Sequence, residues 1–297
     1  MSGPADRSAP AAPADLAAIA LAVAREAAEL VRERRARGVE VAATKTSDID
    51  IVTEVDRASE VLIRRRLLEH RPDDAILGEE GDDHAGSSGV RWVVDPIDGT
   101  VNFLYGIRQY AVSIAAERDG EVVAGVVLNV ADGHTYLAHT GPGGADDRAG
   151  AVVTRDGEPI AVRAAQPLAE MLVGTGFSYD RGVRALQARA LVELLPRVRD
   201  VRRLGSAALD LCAVAEGSLD AYVEEGVQPW DHAAGGLVAR LAGARTELLT
   251  GVGGLPLMVA AGAETFDTFR DAVHGAGFAA GGPTAPATTP TATGAGL

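Results

Sequence analysis

The stretch that most constrains this chain is Trp92-Val93-Val94-Asp95-Pro96-Ile97-Asp98-Gly99-Thr100. Its apolar start reads as a strand buried within a sheet, and the run breaks at an acid, a proline, a second acid and a glycine. The strand delivers Asp95 at its tip, and Pro96, which lacks an N–H, is expected to stop ladder pairing there. Asp98-Gly99-Thr100 then reads as a turn opening a helix, whose free N–H groups suit an anion. Two carboxylates beside backbone donors fit a divalent cation on one side and a phosphate on the other. An Asp-Gly pair alone is most often an ordinary turn, so the case rests on acids elsewhere in the chain.

Two further segments supply them. Ala75-Ile76-Leu77 reads as a short strand ending in Gly78-Glu79-Glu80, which repeats the pattern of a buried strand with acids at its tip. Gln228-Pro229-Trp230-Asp231-His232-Ala233-Ala234-Gly235 opens an Ala-rich helix, and Asp231 falls in its first turn. Capping would explain Asp231 there, but it does not account for Glu79, Asp95 and Asp98 at strand tips and tight turns. Oxygen-only donors point to a hard cation such as Mg²⁺ rather than zinc. The six histidines show no pair at metal-ligand spacing, and His232 is expected to be an exposed neighbour of Asp231. Asp48-x-Asp50 lacks the glycine and terminal glutamate of a calcium loop. No P-loop, G-x-S-x-G or complete G-x-G-x-x-G occurs.

Composition narrows the partners. A hydrophobic content of 47% and a charged content of 24% are those of an ordinary globular protein, and 297 residues suffice for a large core. The formal net charge of −14 argues against nucleic acid or an anionic membrane surface as the main partner. It also means that a phosphate ester must be drawn in against local repulsion, which bound cations would reverse. Cys212, the single cysteine, excludes an internal disulfide and fits a reducing cytoplasm. Set among Leu211, Ala213 and Val214, it reads as core filler. Arg25, Glu26 and Glu29 interrupt the first apolar segment, so neither a signal peptide nor a membrane span is expected. Lys45 is the only lysine in an arginine-rich chain.

Taken in order, Met1 to Pro13 is a Pro/Ala-rich tail, expected to be disordered. A helix runs from Asp15 toward Gly38, with Arg32, Arg34, Arg35 and Arg37 at the end favoured by the helix dipole. A second helix covers about Asp56 to His70, stopped by Pro72. Gly81 to Gly89 reads as a mobile loop. Three β-runs (Ala111 to Arg118, Glu121 to Val130, Thr135 to His139) with Asp-Gly turns make an antiparallel meander. The Gly/Asp-rich segment Gly141 to Ala149 suggests a boundary between an N-terminal α+β subdomain (14–145) and a C-terminal α/β subdomain (146–279). The second half alternates strands and helices, implying mixed or parallel sheet covered by helices. Residues 280–297 form a Gly/Pro/Thr/Ala tail, also expected to be disordered.

Three motifs together, Gly78-Glu79-Glu80, Trp92 to Phe103 and Trp230-Asp231-His232-Ala233-Ala234-Gly235, resemble the Mg²⁺-dependent, lithium-sensitive inositol monophosphatases. The resemblance spans about Asp15 to Ala279 and includes Arg202 to Cys212 and Asp220 to Glu224. It implies a layered αβαβα sandwich of the sugar-phosphatase type, usually as a homodimer, hydrolysing a small phosphorylated polyol such as inositol 1-phosphate.

Carried over residue by residue, Glu79, Asp95 and the Ile97 carbonyl would hold one Mg²⁺. Asp95, Asp98 and Asp231 would hold a second, and a third, weaker ion would lean on Glu79. Thr100 and Asp56 would orient the attacking water, and the Gly99 and Thr100 N–H groups would bind phosphate. Ala207, Glu224 and Asp231 would contact the ring, and Lys45 would act from an active-site loop. That loop lacks the proline many relatives carry, and Glu225 and Pro229 flank the substrate-contacting stretch. Histidinol phosphate, fructose 1,6-bisphosphate and a 3′-phosphoadenosine nucleotide remain alternative substrates. A regulatory protein-binding role is the non-enzymatic alternative.

Overall fold

A computed structural model describes residues 11–36, 41–44, 51–144 and 149–281. The expectations for Lys45, for Asp48 and Asp50, and for most of both tails lie outside the described residues.

Five layers stack in the order helix, sheet, helix, sheet, helix. The outer helices are α1 (Pro13–Ala36) and α2 (Glu54–His70). α1 turns Ala17, Ala20, Ala24, Ala27 and Ala28 inward, and such small side chains let a helix approach a sheet closely. Between α1 and α2 lies a short antiparallel pair, β1 (Val41–Thr44) and β2 (Ile51–Thr53).

The first sheet runs β3 (Ala75–Gly78), β4 (Val90–Asp98), β5 (Ala111–Arg118), β6 (Glu121–Asn129), β7 (Thr135–His139), β8 (Val152–Arg155) and β9 (Glu158–Pro159), in sequence order. Only β3 and β4 pair in parallel. Strand alternation sorts the core: Trp92 and Val94 face α1 and α2, whereas Val93 faces the central helices. The buried Trp92 donates its indole N–H to Asp74 at 2.9 Å.

The central layer is α5 (Ala207–Ala215) and α6 (Pro229–Leu241). The second sheet has the order β11 (Asp200–Arg202), β10 (Leu172–Thr175), β12 (Ala221–Glu225), β14 (Pro256–Gly262), β13 (Ala244–Thr250). It is parallel at β11–β10–β12 and antiparallel beyond, the mixed sheet that the alternating pattern implies. α4 (Arg181–Leu194) and α7 (Phe266–Ala276) cover its outer face.

Two expectations about boundaries need correction. Pro96 does not end its strand: β4 continues to Asp98, and its pairing with β5 resumes at Asp98 opposite Ala111 after an irregularity. A proline is tolerated where the ladder is already interrupted. The first sheet also continues past the Gly/Asp-rich segment, since β8 pairs with β7. The chain passes to the second sheet only after β9. The Gly81–Gly89 loop is tied down rather than free, because the Ser87 and Ser88 N–H groups donate to the Asp73 carbonyl at 2.7 and 3.0 Å, and His84 bridges to Ile76.

Candidate active site

The ends of β3 and β4 and the starts of α3 (Thr100–Tyr105), α5 and α6 converge on one cavity of ≈ 580 Å³. Its walls include Glu79, Asp95, Ile97, Asp98, Gly99, Thr100, Ala207, Glu224 and Asp231, so among the described residues every expected site residue except Asp56 lines it. Asp56 is buried and accepts a hydrogen bond from the lining hydroxyl of Thr100 at 3.2 Å.

The irregularity in β4 shapes the first acid pair. After Pro96 the chain turns back so that the Ile97 N–H donates to Asp95 Oδ1 at 3.0 Å. Gly99 then adopts φ 94°, and a Cβ there would sit 2.8 Å from the Gln109 carbonyl oxygen, so the turn requires glycine. Asp98, from the other side of the same turn, caps the helix that follows in space. It accepts from Ser206 Oγ at 2.5 Å, from the Ala208 N–H at 2.8 Å and from the Ala207 N–H at 3.3 Å. The N-terminus of α5 is thus held by an acid 108 residues away in sequence from Ser206. A negative charge there also suits the helix dipole.

Asp231 does cap its own helix: Oδ2 accepts from the Gln228 N–H at 2.6 Å in a capping box. Capping uses one carboxylate oxygen, so the two roles considered for Asp231 are compatible. Ligand atoms of Asp95, Asp98 and Asp231 lie within 4.8 Å of one another, the three acids expected to share the second ion. Glu79 lines the same cavity but stands outside that close group.

Electrostatics bear on what the cluster can hold. Burial pushes the Asp95 carboxyl well above the usual range, reinforced by Glu79, Asp98, Asp231 and Asp56. Burial likewise raises Asp98 to about 7, against the pull of the Ser206 and Ala208 hydrogen bonds. Asp231 is raised well above its usual value by burial and by Asp98. Such acids resist losing their protons together unless a cation joins them. The donor set, three clustered carboxylates and no thiol or imidazole, fits a hard metal ion.

Thr100 carries one hydroxyl proton but has two acceptors in reach, Asp56 Oδ1 at 3.2 Å and the Ile97 carbonyl at 3.0 Å. Glu224 accepts from the Tyr222 hydroxyl at 2.8 Å, and burial raises its carboxyl as well. His232 departs from expectation: it is half-buried and burial pushes its imidazole down to about 4, so it stays neutral near neutral pH. Sequence reasoning missed Arg203, which lines the cavity from the loop after β11 and is its only lining cation among the described residues. Nothing in the local pattern separates it from neighbouring Arg202. Cys212 is fully buried in the central layer, as its apolar neighbours imply.

Residues 12–272 match the inositol monophosphatase family. The chain belongs to that family. It is 48% identical over 268 residues to the inositol-1-monophosphatase SuhB of Mycobacterium tuberculosis, covering 84% of this chain and 90% of that protein. The structure of Mycobacterium tuberculosis SuhB superposes with a TM-score of 0.74 at 45% identity, covering 89% of this chain and 98% of that one. The Nus factor SuhB of Pseudomonas aeruginosa is 36% identical over 239 residues, 78% of this chain and 85% of that protein. As a member of the inositol monophosphatase family the chain is a phosphatase, with an acidic cluster that could bind metal where the family's motifs fall.

Proposed function

We propose that this chain hydrolyses inositol 1-phosphate to myo-inositol and phosphate, using Mg²⁺. The observation that carries the reading is the convergence of Asp95, Asp98 and Asp231 within 4.8 Å, in a cavity that Glu224 also lines. Glu79, Asp95 and the Ile97 carbonyl would hold one Mg²⁺, and Asp95, Asp98 and Asp231 another. Bound there, the ions would lower the pKa of water and offset the charge that builds on the ester.

The protein's own groups do the rest. Thr100 keeps its proton and directs it in a hydrogen bond to Asp56 when the Ile97 carbonyl is engaged, which leaves a hydroxyl lone pair to accept a hydrogen bond from the attacking water. The Gly99 and Thr100 N–H groups hold the phosphate. Ala207 and Glu224, with Asp231, face the ring, and the Glu224 carboxylate accepts from polyol hydroxyls. Hydrolysis leans mainly on such positioning and electrostatics. A homodimer fits the exposure of Tyr105 at the end of α3 and Ile107 in the loop after it, 78% and 53% accessible. A reducing, cytoplasmic setting fits the single buried cysteine, and among the described residues no helix is long and apolar enough to cross a membrane.

Phosphate release from inositol 1-phosphate, histidinol phosphate, fructose 1,6-bisphosphate and a 3′-phosphoadenosine nucleotide tests the reading. The expected result is Mg²⁺-dependent release, fastest from inositol 1-phosphate, and inhibition by LiCl relative to matched NaCl. A different preferred ester would move the substrate assignment. Equal rates in LiCl and NaCl would mean that the Asp95–Asp98–Asp231 position is built differently. A regulatory role in binding another protein is the second reading, and the chain is similar to a protein named Nus factor SuhB. A chain acting only in that way would release phosphate from none of the four esters.

Lys45 is proposed to act over the same cavity by neutralising an acid or a phosphate oxygen. Lysine is a compact point charge and arginine a planar fork. Lys45→Arg and Lys45→Ala should therefore both lower turnover or raise the Mg²⁺ requirement. Melting temperature should barely move, as for surface changes of under about 0.5 kcal/mol. Parent-like kinetics in both variants would remove Lys45 from the site.

A further inference from the structure

Glu60 is a carboxylate that the proposed chemistry does not use, yet it is more thoroughly engaged than most acids in the chain. It sits on α2, 2% exposed. It accepts from the Glu80 N–H at 2.7 Å, from the Gly81 N–H at 2.9 Å and from Arg64 Nε at 2.7 Å. Two glycines make the approach possible. A Cβ on Gly78 would lie 2.5 Å from Glu60 Oε1, and one on Gly81 would lie 2.9 Å from it. Gly78-Glu79-Glu80-Gly81 is therefore a turn wrapped around one buried carboxylate.

The residue at the centre of that turn is Glu79. On its upstream side, Gly78 is held in register opposite Val94 by the β3–β4 ladder. Downstream, the Glu80 N–H belongs to the peptide group whose carbonyl is that of Glu79, and Glu60 holds it. With the backbone held on both sides of its Cα, the direction in which the Glu79 Cα–Cβ bond leaves the chain is fixed too. Glu79 needs such a hold, because it lines the same cavity as the carboxylates of Asp95, Asp98 and Asp231. Mutual repulsion would turn a loosely held Glu79 toward solvent. The guanidinium of Arg64, 19% exposed, balances the charge of Glu60, so the anchor adds no net negative charge beside the cavity.

We infer that Glu60, through its grip on the Glu80 and Gly81 amides, is a positioning residue that presets Glu79 for metal binding. The inference rests on the proposed metal-dependent reading of the cavity. Partners of metal ligands typically change affinity about 10- to 100-fold when lost. Glu60→Gln should therefore raise the Mg²⁺ concentration for half-maximal activity about tenfold. Turnover at saturating Mg²⁺ should stay within about a factor of two of the parent, since the reacting groups are untouched.

Calorimetric titration of the folded proteins with Mg²⁺ gives a readout independent of turnover and should show the same loss. In a Glu79→Gln background, Glu60→Gln should add no further loss of Mg²⁺ affinity, because it acts only through Glu79. Arg64→Gln leaves both amide bonds in place and should shift the Mg²⁺ requirement less than about twofold. If Glu60→Gln does not fold, Glu60→Asp carries the same expectations, since it keeps the charge and shortens the reach. Parent-like Mg²⁺ affinity in the folded Glu60 variant would overturn the inference. So would losses that multiply in the double variant, or an Arg64→Gln shift as large as that of Glu60→Gln. A parent that binds no Mg²⁺ would instead overturn the metal-dependent reading beneath it.

Discussion

Asp95→Asn is expected to fold as the parent does and to release phosphate at least about a thousandfold more slowly, a loss of about 4 kcal/mol from the transition state. The fold should survive because an asparagine carbonyl can still accept the Ile97 N–H that shapes the turn, at 3.0 Å in the parent. It should also survive because one of several mutually repelling buried acids becomes neutral. Activity should not survive, since a neutral amide is a poor ligand for a dication and Asp95 is the acid proposed to be shared by both ions. No practical Mg²⁺ concentration should restore it. Rates across a Mg²⁺ titration, with a melting curve to show that the variant is folded, provide the measurement. Near-parental turnover in a folded variant would sink the two-ion assignment.

Removing metal with a chelator is expected to abolish activity and to expose a pH dependence of stability that Mg²⁺ suppresses. Burial raises Asp98 to about 7, and Asp95 and Asp231 are raised as well, whereas an unfolded Asp titrates near its ordinary value of about 3.9. Between those values the folded protein holds protons that the unfolded chain has released. Stability therefore falls as pH rises through that window. The contribution is fully present below about pH 4, where both states are protonated, and for Asp98 it is gone above about pH 7. The melting temperature of chelated protein should decline from pH 5 to pH 8, and added Mg²⁺ should recover more of it at the alkaline end, where the site is ionised. A melting temperature that rises across this range without metal, or a Mg²⁺ effect that shrinks with pH, would show that the acids are not held as the structure has them.

Much of this protein is determined by residues close together in the chain. The alternation of Trp92, Val93 and Val94 divides a two-faced core, and the strand–helix alternation of the second half becomes a mixed sheet covered by α4 and α7. The metal-type acids were legible for the same reason. Asp95 and Asp98 are brought together by the Pro96-Ile97 turn between them, and Asp231 is tied to a helix start by Pro229 and its capping box. Turns and caps are short-range geometry, so they are written in short-range sequence.

Tertiary structure alone decided where those pieces meet. That Asp98 would cap α5 through Ser206 and Ala208, and that Glu60 would hold the turn bearing Glu79, depends on separations in sequence of 108, 110, 20 and 21 residues. No local pattern encodes which distant amide a buried carboxylate will satisfy. The same reasoning covers the readings that were corrected. Pro96 could remain in its strand because β5 is already out of register there, and the first sheet could reach past the Gly/Asp-rich segment because β7 offered β8 an open edge. His232 is neutral and half-buried because it sits on α6 in a cavity that it shares with Arg240, about two turns along the same helix, and with residues of β13 and β14. Burial is a property of what lies opposite, and a chain read residue by residue does not say what that will be.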